Sequence, residues 1–528
     1  MLEIERSAWG LAISSAILQI VIFPLANLYV LSWIAVAPLL VALLHARRPE
    51  TLQLEGSVKL LPARPLQGFL LGYLSGVLWY GGSCYWVYST MKQYGGISPA
   101  GAAGLLVLFC LYLGLYHGLF GLMIAFGAKL SLRSGLIFAP FAWIAVEFTR
   151  TRISGFPWDL LGISQVDNVP LAQIARTTGV YGISFEIVVV NAAFAAAFLV
   201  RRNRRSSLLL AATAAGFFLQ MARWMPIPET PADRTAVLVQ ENIPVLDNSD
   251  WTAQYFSETV TELSRFSLNL PAGERLVNKP DLIIWPESPA PFYSTDPALR
   301  TALGELAQNA HAWIVVGNVS VQNSQPSATE VFNSASLVGP DGNWRARYDK
   351  VHLVPFGEYV PFKRWLSFAG GLTKEVGDFS RGVSREPLQA GGQKLGVFIC
   401  YESIFPDEVR QLAKHGAQVF VNISNDGWYG DSGAYAQHLK QARMRAIENE
   451  RWLLRDTNTG VTASIDPYGR VVASVPRKVR SALVAPLTLI NGTTFYTRHG
   501  DWLAYACAII SIGATIVSLT SVKGKIIL

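Results

Sequence analysis

The sequence predicts a fold of two parts: a polytopic α-helical membrane region of about eight spans, and an α/β layered sandwich domain inserted before the last span. Of the 528 residues, 51% are hydrophobic and 15% are charged, well below the quarter of charged residues that is usual in soluble proteins. The apolar residues gather in runs of roughly 20, the length that a helix needs to cross a bilayer. One long segment instead alternates short β-branched runs with longer polar–apolar segments, which is typical of α/β domains.

The membrane region is predicted from eight apolar runs, at 8–26, 29–46, 68–89, 102–128, 134–149, 172–200, 206–223 and 502–522. Any one of them could be a buried helix of a soluble core, but the set favours membrane spans. We interpret the first run as a span and not a removable signal peptide, because no small-residue cleavage site follows it before the chain re-enters the membrane. We therefore assign 1–223 to spans one to seven, 224–500 to the inserted domain, and 501–528 to the last span and a tail.

Short basic clusters between the runs predict the orientation, because cytoplasmic loops are enriched in Lys and Arg. HARRPE (45–50) lies between spans two and three, and VRRNRRSS (200–207) between spans six and seven. The loop after span five is a mild exception, because it carries Arg150, Arg152 and Arg176. Glu147 and Arg150 at the end of that span, and Arg152 beyond it, are candidates for lipid headgroup contact; the alternative for the two arginines is an ordinary position at the interface. Both termini are thus expected in the cytoplasm, and the inserted domain on the other side. Because the basic charge forms clusters and no aromatic stacking platform accompanies it, the net charge of +7 does not indicate nucleic-acid binding.

The inserted domain is predicted to be a sandwich of strands and helices. Candidate strands lie at 235–240, 281–286, 312–317, 334–339, 395–400, 417–424, 452–458, 461–466 and 470–475. Candidate helices lie near 251–268, 297–310, 404–415 and 435–450. Hairpins are expected at PDGN (340–343) and DPYGR (466–470), where Pro or Asp opens the turn and Gly takes the positive φ.

Polar side chains with catalytic potential follow two of the predicted strands and the predicted PDGN hairpin. Glu287 lies in IIWPESPAPF, Lys350 and Glu358 lie in RYDKVHLVPFGEYVPF, and Cys400 ends the strand of LGVFICYESIF. In open α/β sheets, ligands gather outside the carboxyl ends of strands, so these groups can converge although they are distant in the chain. Cys400 is the one cysteine of the inserted domain, which therefore cannot contain a disulfide of its own.

A thiol, a carboxylate and an ammonium group suffice for acyl transfer through a thioester. The thiolate is the nucleophile, the carboxylate can take the thiol proton and return it to the leaving group, and the ammonium can stabilise an oxyanion. Each residue alone has another interpretation: Cys400 as packing at a strand end, Glu287 as a helix N-terminal residue, and Lys350 as a surface lysine. The catalytic interpretation depends on finding them together in their wider motifs.

Those wider motifs resemble a known family. WPES, DKVHLVPFGEYVPF and GVFICYESIF resemble the Glu, Lys and Cys motifs of the carbon–nitrogen hydrolase (nitrilase) superfamily. The segment that begins NISNDGWYGDSGAYAQHLKQARMRAIENER (422–451) narrows the match. Together with the multi-span region, including TRISGFPWDLLGISQ (151–165) and YGGIS (94–98), nearly the whole chain resembles the bacterial apolipoprotein N-acyltransferases.

The resemblance implies a nitrilase-like α-β-β-α catalytic domain on the periplasmic face of the bacterial inner membrane. It implies that an acyl chain passes from a phospholipid, commonly phosphatidylethanolamine, to the Cys as a thioester. The chain then passes to the α-amino group of the diacylglyceryl-modified N-terminal Cys of a lipoprotein. In this sequence Cys400 matches the nucleophile, Glu287 the general base and Lys350 the oxyanion-stabilising lysine.

The resemblance also implies supporting residues. Glu358 in FGEY matches a further essential glutamate of the family, and Tyr401 and Glu402 match its CYE positions. Trp251 corresponds to a tryptophan that the family needs after NIP, although ENIPVLDNSDW carries extra residues before it.

Two other functions share part of these features. A membrane-anchored nitrilase-type amidase would use the same three residues with water as acceptor, but it would need one anchor and not eight spans. A transporter or scaffold with an inert nitrilase-like domain would be favoured by the loss of Glu287, Lys350 or Cys400, and none is lost. No cofactor or metal is predicted, because the sequence has no metal-ligand cluster, P-loop or dinucleotide fingerprint, and the chain is expected to act as a monomer.

The segment VPFKRWLSFAGGLTKEVGDFSRG (360–382) is predicted to be a lid or a membrane-dipping loop, because Trp365 and Phe368 lie on it and two glycines offer a hinge. The alternative is a loop packed on its own domain. Replacing Trp365 and Phe368 with Ser is expected to impair acyl transfer from lipid donors more than from soluble esters. Transfer rates from the two donor classes test this, and equal loss on both would contradict it.

Overall fold

The computed structural model describes residues 3–48, 60–199, 202–244, 251–269, 279–287, 292–325, 328–359 and 379–524. The chain forms two compact units. The first, here the helical unit, comprises Met1–Tyr88, Pro99–Ile227 and His499–Leu528. The second, here the α/β unit, comprises Ser89–Ser98 and Pro228–Arg498. The short segment 89–98, which lies between predicted spans three and four, thus groups with the α/β unit.

The helices up to residue 221, together with the last helix, follow the predicted apolar runs. They are α1 Arg6–Val21, α2 Ser32–Ala35, α3 Ala37–Leu44, α4 Pro65–Ser83, α5 Trp86–Gln93, α6 Pro99–Leu130, α7 Leu132–Thr149, α8 Val169–Ala172, α9 Ala175–Thr178, α10 Val180–Leu199, α11 Arg202–Met221 and α17 Trp502–Gly524.

Among the described residues, four helical stretches are long and apolar enough to cross a membrane. They are Pro99–Leu130, Leu132–Ser154, Val180–Leu199 and Trp502–Thr520. The prediction of an α-helical membrane region is confirmed to that extent, while the count of eight spans remains a prediction. Two of the other four predicted spans have a physical reason for falling short: the apolar stretch Tyr29–Leu44 is shorter, and α11 opens on the charged run RNRR.

Helices α4 and α6 pack through glycines, which let two helix backbones approach closely inside a membrane protein. A Cβ at Gly72 would lie 2.2 Å from the carbonyl oxygen of His117, and a Cβ at Gly121 would lie 2.1 Å from that of Gly68. A side chain at either position would therefore push the two helices apart.

The α/β unit contains two six-stranded sheets among its described residues. The first has the order β12-β1-β2-β3-β4-β5, with β1 Arg234–Gln240, β2 Leu282–Trp285, β3 Trp313–Gln325, β4 Ala328–Val338, β5 Trp344–Asp349 and β12 Ser481–Leu487. The second has the order β11-β10-β9-β8-β7-β6, with β6 Leu388–Ala390, β7 Gln393–Ile399, β8 Val419–Ser424, β9 Leu453–Thr457, β10 Thr462–Ile465 and β11 Val471–Val475. In each sheet three neighbouring strands are parallel, β1-β2-β3 and β7-β8-β9, and the others pair antiparallel.

The two sheets face each other and carry helices on their outer sides. Alternate residues of the parallel strands, such as Leu238, Ile284, Val397 and Val421, form the core between the sheets. The intervening residues of the first sheet pack against α12 Ala253–Leu268 and α13 Pro297–Ala310. Those of the second sheet pack against α14 Pro406–Lys414 and α15 Ala434–Asn449, and a short α16 spans Phe495–His499. This confirms the predicted α-β-β-α sandwich.

Local sequence signals, such as helix caps and turn glycines, account for several of these elements. Helix α13 spans the predicted 297–310, since Asp296 accepts hydrogen bonds from the backbone amides of Ala298 and Leu299 and Pro297 occupies the first turn. Gly342 and Gly469 have φ of +80° and +83°, as both hairpin predictions require. Strands β6 and β12 were not predicted: β6 is three residues long, and β12 is an edge strand that contains Pro486.

Candidate active site

The three predicted catalytic residues follow three strands of the α/β unit. Glu287 lies two residues after β2, Lys350 follows β5, and Cys400 follows β7. The Lys350 Nζ lies 3.2 Å from Glu287 Oε1 and 2.9 Å from Glu358 Oε1. The structure therefore brings Glu287, Lys350 and Glu358 into one buried cluster, and Lys350 itself is 1% exposed.

Neutral hydrogen-bond donors also bind both carboxylates. Asn333 Nδ2, on β4, donates to Glu287 Oε1 (2.8 Å) and to Glu358 Oε1 (2.7 Å). The backbone amide of Asn425 donates to Glu287 Oε2 (2.8 Å), and that of Val354 donates to Glu358 Oε2 (2.8 Å). Every carboxylate oxygen of the cluster thus has a fixed partner. Asn333 and Asn425 were not predicted from the sequence, because an amide donor has no spacing pattern that reveals its acceptor.

Close backbone packing also holds Glu287 in place. Gly317 on β3 lies against the end of β2, and a Cβ there would be 2.1 Å from the Pro286 carbonyl oxygen and 2.8 Å from Glu287 Cα. Since Cβ atoms do not approach other atoms so closely, this position of β3 requires glycine if Glu287 is to stay beside Lys350.

Electrostatics assign charge states to the cluster. Burial alone would lower the pKa of Lys350, but the carboxylates of Glu287 and Glu358 raise it well above its usual value. Burial, and then the charge of Glu287, raise the pKa of the Cys400 thiol above its usual value, against the opposing effect of Lys350. At neutral pH the lysine is therefore charged and the thiol protonated. A thiol in that state needs a base that takes its proton when it attacks.

Cys400 occupies a sharp turn at the end of β7. Its φ is +48°, a conformation that is uncommon for a residue with a side chain, and a 3₁₀ turn, Cys400–Ile404, begins there. Strain of this kind persists where the surrounding structure enforces it.

The Glu402 carboxylate helps to hold the Cys400 turn in this conformation. Its Oε2 accepts from the amide of Ile399 (2.7 Å), and its Oε1 accepts from the amides of Val351 (2.7 Å) and His352 (3.1 Å) and from the Tyr348 hydroxyl (2.9 Å). Because Val351 directly follows Lys350, this one buried carboxylate joins the Cys400 turn to the Lys350 segment.

The Glu402 carboxylate predicts a pH-dependent stability. Burial raises its pKa to about 7 despite its four donors. A carboxyl whose folded pKa is raised binds its proton more tightly in the folded state, so its contribution to stability is complete below about pH 4.5 and is lost as the pH rises to about 7.

The native chain and Glu402→Gln are compared by the difference between their melting temperatures. We expect this difference, native minus variant, to decrease as the pH rises from 5 to 8. Thermal unfolding of both proteins in the same detergent checks this. A difference that stays constant over this range would contradict it.

A second buried network, of ionisable side chains, contacts the backbone of Cys400. Arg455 Nη2 is 2.9 Å from Asp426 Oδ2, and His438 Nδ1 is 3.0 Å from Asp426 Oδ1, with all three side chains at 0% exposure. His438 Nε2 lies 3.1 Å from the carbonyl oxygen of Cys400 and 2.8 Å from Ser403 Oγ. Asp426, His438 and Arg455 were not predicted from the sequence, because each lies on a different element and they meet only in the fold.

The other predicted residues have different surroundings. Tyr401 is buried and packs edge-on against Phe405, with ring centroids 5.2 Å apart. Trp251 is partly buried before α12 and packs on Tyr255 (4.9 Å) and Phe292 (6.4 Å). Trp365 and Phe368 lie outside the described residues.

The polar residues at the end of α7 are held inside the helical unit. Arg150 Nη1 donates to the Tyr80 hydroxyl and to the carbonyl of Trp158, both at 2.9 Å. Glu147 Oε1 accepts from the amide of Leu161 (2.7 Å). Arg152 pairs with Asp501 of the same unit at 2.8 Å. Headgroup contact by these residues stays a prediction.

The α/β unit thus holds the groups that nucleophilic acyl chemistry needs: a protonated thiol after β7, a buried carboxylate after β2 and a buried ammonium after β5. Over the described part of the chain, no group of three or more His, Cys, Asp or Glu side chains is placed to hold a metal ion.

Comparisons with known proteins match both parts of the chain. A family model described as Carbon-nitrogen hydrolase matches residues 238–492, and one described as Apolipoprotein N-acyltransferase N-terminal domain matches residues 15–193. A protein of Geobacter metallireducens named apolipoprotein N-acyltransferase is 34% identical over 99% of this chain and 96% of its own. A protein of Methylococcus capsulatus with the same name is 36% identical over 84% and 86%. A solved carbon-nitrogen hydrolase from Helicobacter pylori G27 is 16% identical with a TM-score of 0.35, over 48% of this chain and 89% of that one.

Proposed function

Because this chain belongs to the apolipoprotein N-acyltransferase family, we propose that Cys400, Glu287 and Lys350 carry out its acyl transfer to lipoproteins. The chain is a membrane acyltransferase with a carbon–nitrogen hydrolase domain. The observation that carries the assignment is the buried contact of Lys350 with two carboxylates, Glu287 and Glu358, in a cluster where Glu287 and Lys350 act electrostatically on the Cys400 thiol.

In the first half-reaction, Glu287 takes the thiol proton while Cys400 Sγ attacks the ester carbonyl of a phospholipid. The carbonyl oxygen becomes an oxyanion, which the Lys350 ammonium stabilises. The C–O bond then breaks, the glycerol oxygen receives the proton from Glu287, and a lysophospholipid leaves. The product is an acyl thioester on Cys400.

In the second half-reaction, the α-amino group of a diacylglyceryl-modified N-terminal cysteine attacks the thioester carbonyl. Glu287 takes a proton from the attacking nitrogen, the C–S bond breaks, and the proton returns to Cys400. The result is an amide on the lipoprotein and a free thiol. Glu358 and Asn333 act by holding Lys350 and Glu287 in place, so they are positioning residues in this scheme.

We further propose the finer features of topology and partners. The chain crosses the bacterial inner membrane eight times, through 1–223 and 501–528, with both termini in the cytoplasm and 224–500 in the periplasm. Phosphatidylethanolamine is the acyl donor, and the enzyme works as a monomer. The four apolar helices and the paucity of charge support the membrane location, and the basic loop clusters support the orientation.

The test separates acyl transfer from hydrolysis. The detergent-purified chain is incubated with phosphatidylethanolamine and a diacylglyceryl-cysteine peptide, and the peptide mass is followed beside Cys400→Ala and the matched Cys507→Ala. We expect one acyl chain on the peptide with the native chain and with Cys507→Ala, and none with Cys400→Ala. Release of ammonia from simple amides, with no acylated peptide, would instead favour an anchored amidase.

A further inference from the structure

The segment 89–98 of the α/β unit is hydrogen-bonded to the loop that follows β8, beside the candidate active site. The hydroxyl of Thr90 donates to the carbonyl of Trp428 (3.0 Å), and the hydroxyl of Tyr94 donates to the carbonyl of Gly427 (2.9 Å). The ring of Tyr94 also packs edge-on against that of Trp428, with centroids 5.2 Å apart. In the chain this segment lies between α4 and α6 and includes the end of α5.

The loop that it contacts is the one that binds Glu287. Asn425 follows β8 and donates its backbone amide to Glu287 Oε2 (2.8 Å). The Asn425 side chain accepts from the amide of Gly427 (3.1 Å) and from Asn458 Nδ2 (3.1 Å). Gly427 is therefore held on both sides, by Asn425 at its amide and by Tyr94 at its carbonyl.

We propose that Tyr94, with Thr90, is a positioning residue for the general base. Its hydroxyl fixes the 425–428 turn, so that the amide of Asn425 stays on Glu287 Oε2 and the carboxylate keeps the orientation that proton transfer from Cys400 needs. This inference rests on the proposed role of Glu287.

Geometry makes a small displacement at this turn consequential. Glu287 Oε1 is already bound by Lys350 (3.2 Å) and Asn333 (2.8 Å), so the Asn425 amide is the contact that sets the carboxylate's remaining rotation. Proton transfer requires heavy-atom distances of about 2.6–3.2 Å, and misplacement of a catalytic group by about 1 Å can slow a reaction by a factor of about 100. A residue that holds the turn can thus alter rate without touching substrate.

The test is single-turnover thioester formation with phosphatidylethanolamine, followed by intact mass. We expect Tyr94→Phe to slow the saturated rate about tenfold and Tyr94→Phe/Thr90→Val to slow it further. The lipid concentration for half-saturation, the final acylated fraction and the melting temperature are expected to stay near the native values. Tyr468→Phe, in a hairpin of the same unit, is the matched control and is expected to react at the native rate.

Two results would overturn the inference. One is a saturated rate for the double variant within twofold of native. The other is a slow rate accompanied by a lower acylated fraction or melting temperature, which indicates a purely structural role. Failure of the proposed function looks different: the native chain itself would then form no thioester. Failure of the inference is seen only in the comparison of the variants with a native chain that does react.

Discussion

Lys350→Met is expected to reduce acyl transfer by at least a factor of about 10²–10³, the loss seen when a principal oxyanion donor is removed. It is also expected to destabilise the α/β unit by about 3–5 kcal/mol, because removing one partner of a buried ion pair leaves uncompensated charge. Here two carboxylates, Glu287 and Glu358, lose the cation that they share at 3.2 and 2.9 Å.

The matched control is Lys478→Met. Lys478 pairs with Asp431 on the surface, with side-chain exposures of 55% and 78%, and exposed pairs contribute about 0–1 kcal/mol. Thermal unfolding and single-turnover acylation of both variants compare the two sites. Lys350→Met with more than a tenth of native activity, or with a melting temperature equal to that of Lys478→Met, would contradict the assignment.

Arg455→Met is the second substitution with a large expected effect. Burial would raise the pKa of Asp426, yet Arg455 and His438 hold it below its usual range. Without the guanidinium, this fully buried carboxylate keeps the contacts with His438 and Ser424 as its side-chain partners in the described part of the chain. We expect a loss of about 3–5 kcal/mol. Slower thioester formation is expected as well, because His438 contacts the Cys400 carbonyl.

A double-mutant cycle tests whether the unpaired buried charge of Asp426 causes the loss of stability in Arg455→Met. Asp426→Leu/Arg455→Met removes both charges, so it is expected to be more stable than Arg455→Met alone. Arg234→Met breaks a half-exposed pair with Asp281 and is expected to change stability by less than about 1 kcal/mol. If the double variant were as unstable as the sum of the two single variants, the buried charge would not be the cause.

The sequence was sufficient for the α/β sandwich and for an α-helical membrane region. Alternating β-branched runs predicted β1, β2, β7 and β8, and the rule that ligands gather at strand ends predicted that Glu287, Lys350 and Cys400 converge. The structure brings Glu287 and Lys350 into contact, while the catalytic roles stay a prediction. Spans were harder, because helix formation and membrane insertion are separate properties. Helix α11 forms, but its charged first turn keeps it outside the group of clearly apolar helices.

What the sequence could not supply were the neutral and long-range contacts. Asn333 bridges two carboxylates, and Tyr94 reaches Gly427 across 333 positions of the chain. Neither hydroxyls nor amides produce a periodicity or motif that names their partner. The Asp426–His438–Arg455 network was missed for the same reason, since three elements must fold before its charges meet.

The most direct test of the central claim is the intact mass of the purified chain after incubation with phosphatidylethanolamine, beside Cys400→Ala. We predict a mass gain of one acyl chain that requires Cys400, is released by hydroxylamine, and disappears when a diacylglyceryl-cysteine peptide is added. A native chain that never gains an acyl mass, or that gains it equally without Cys400, would contradict it.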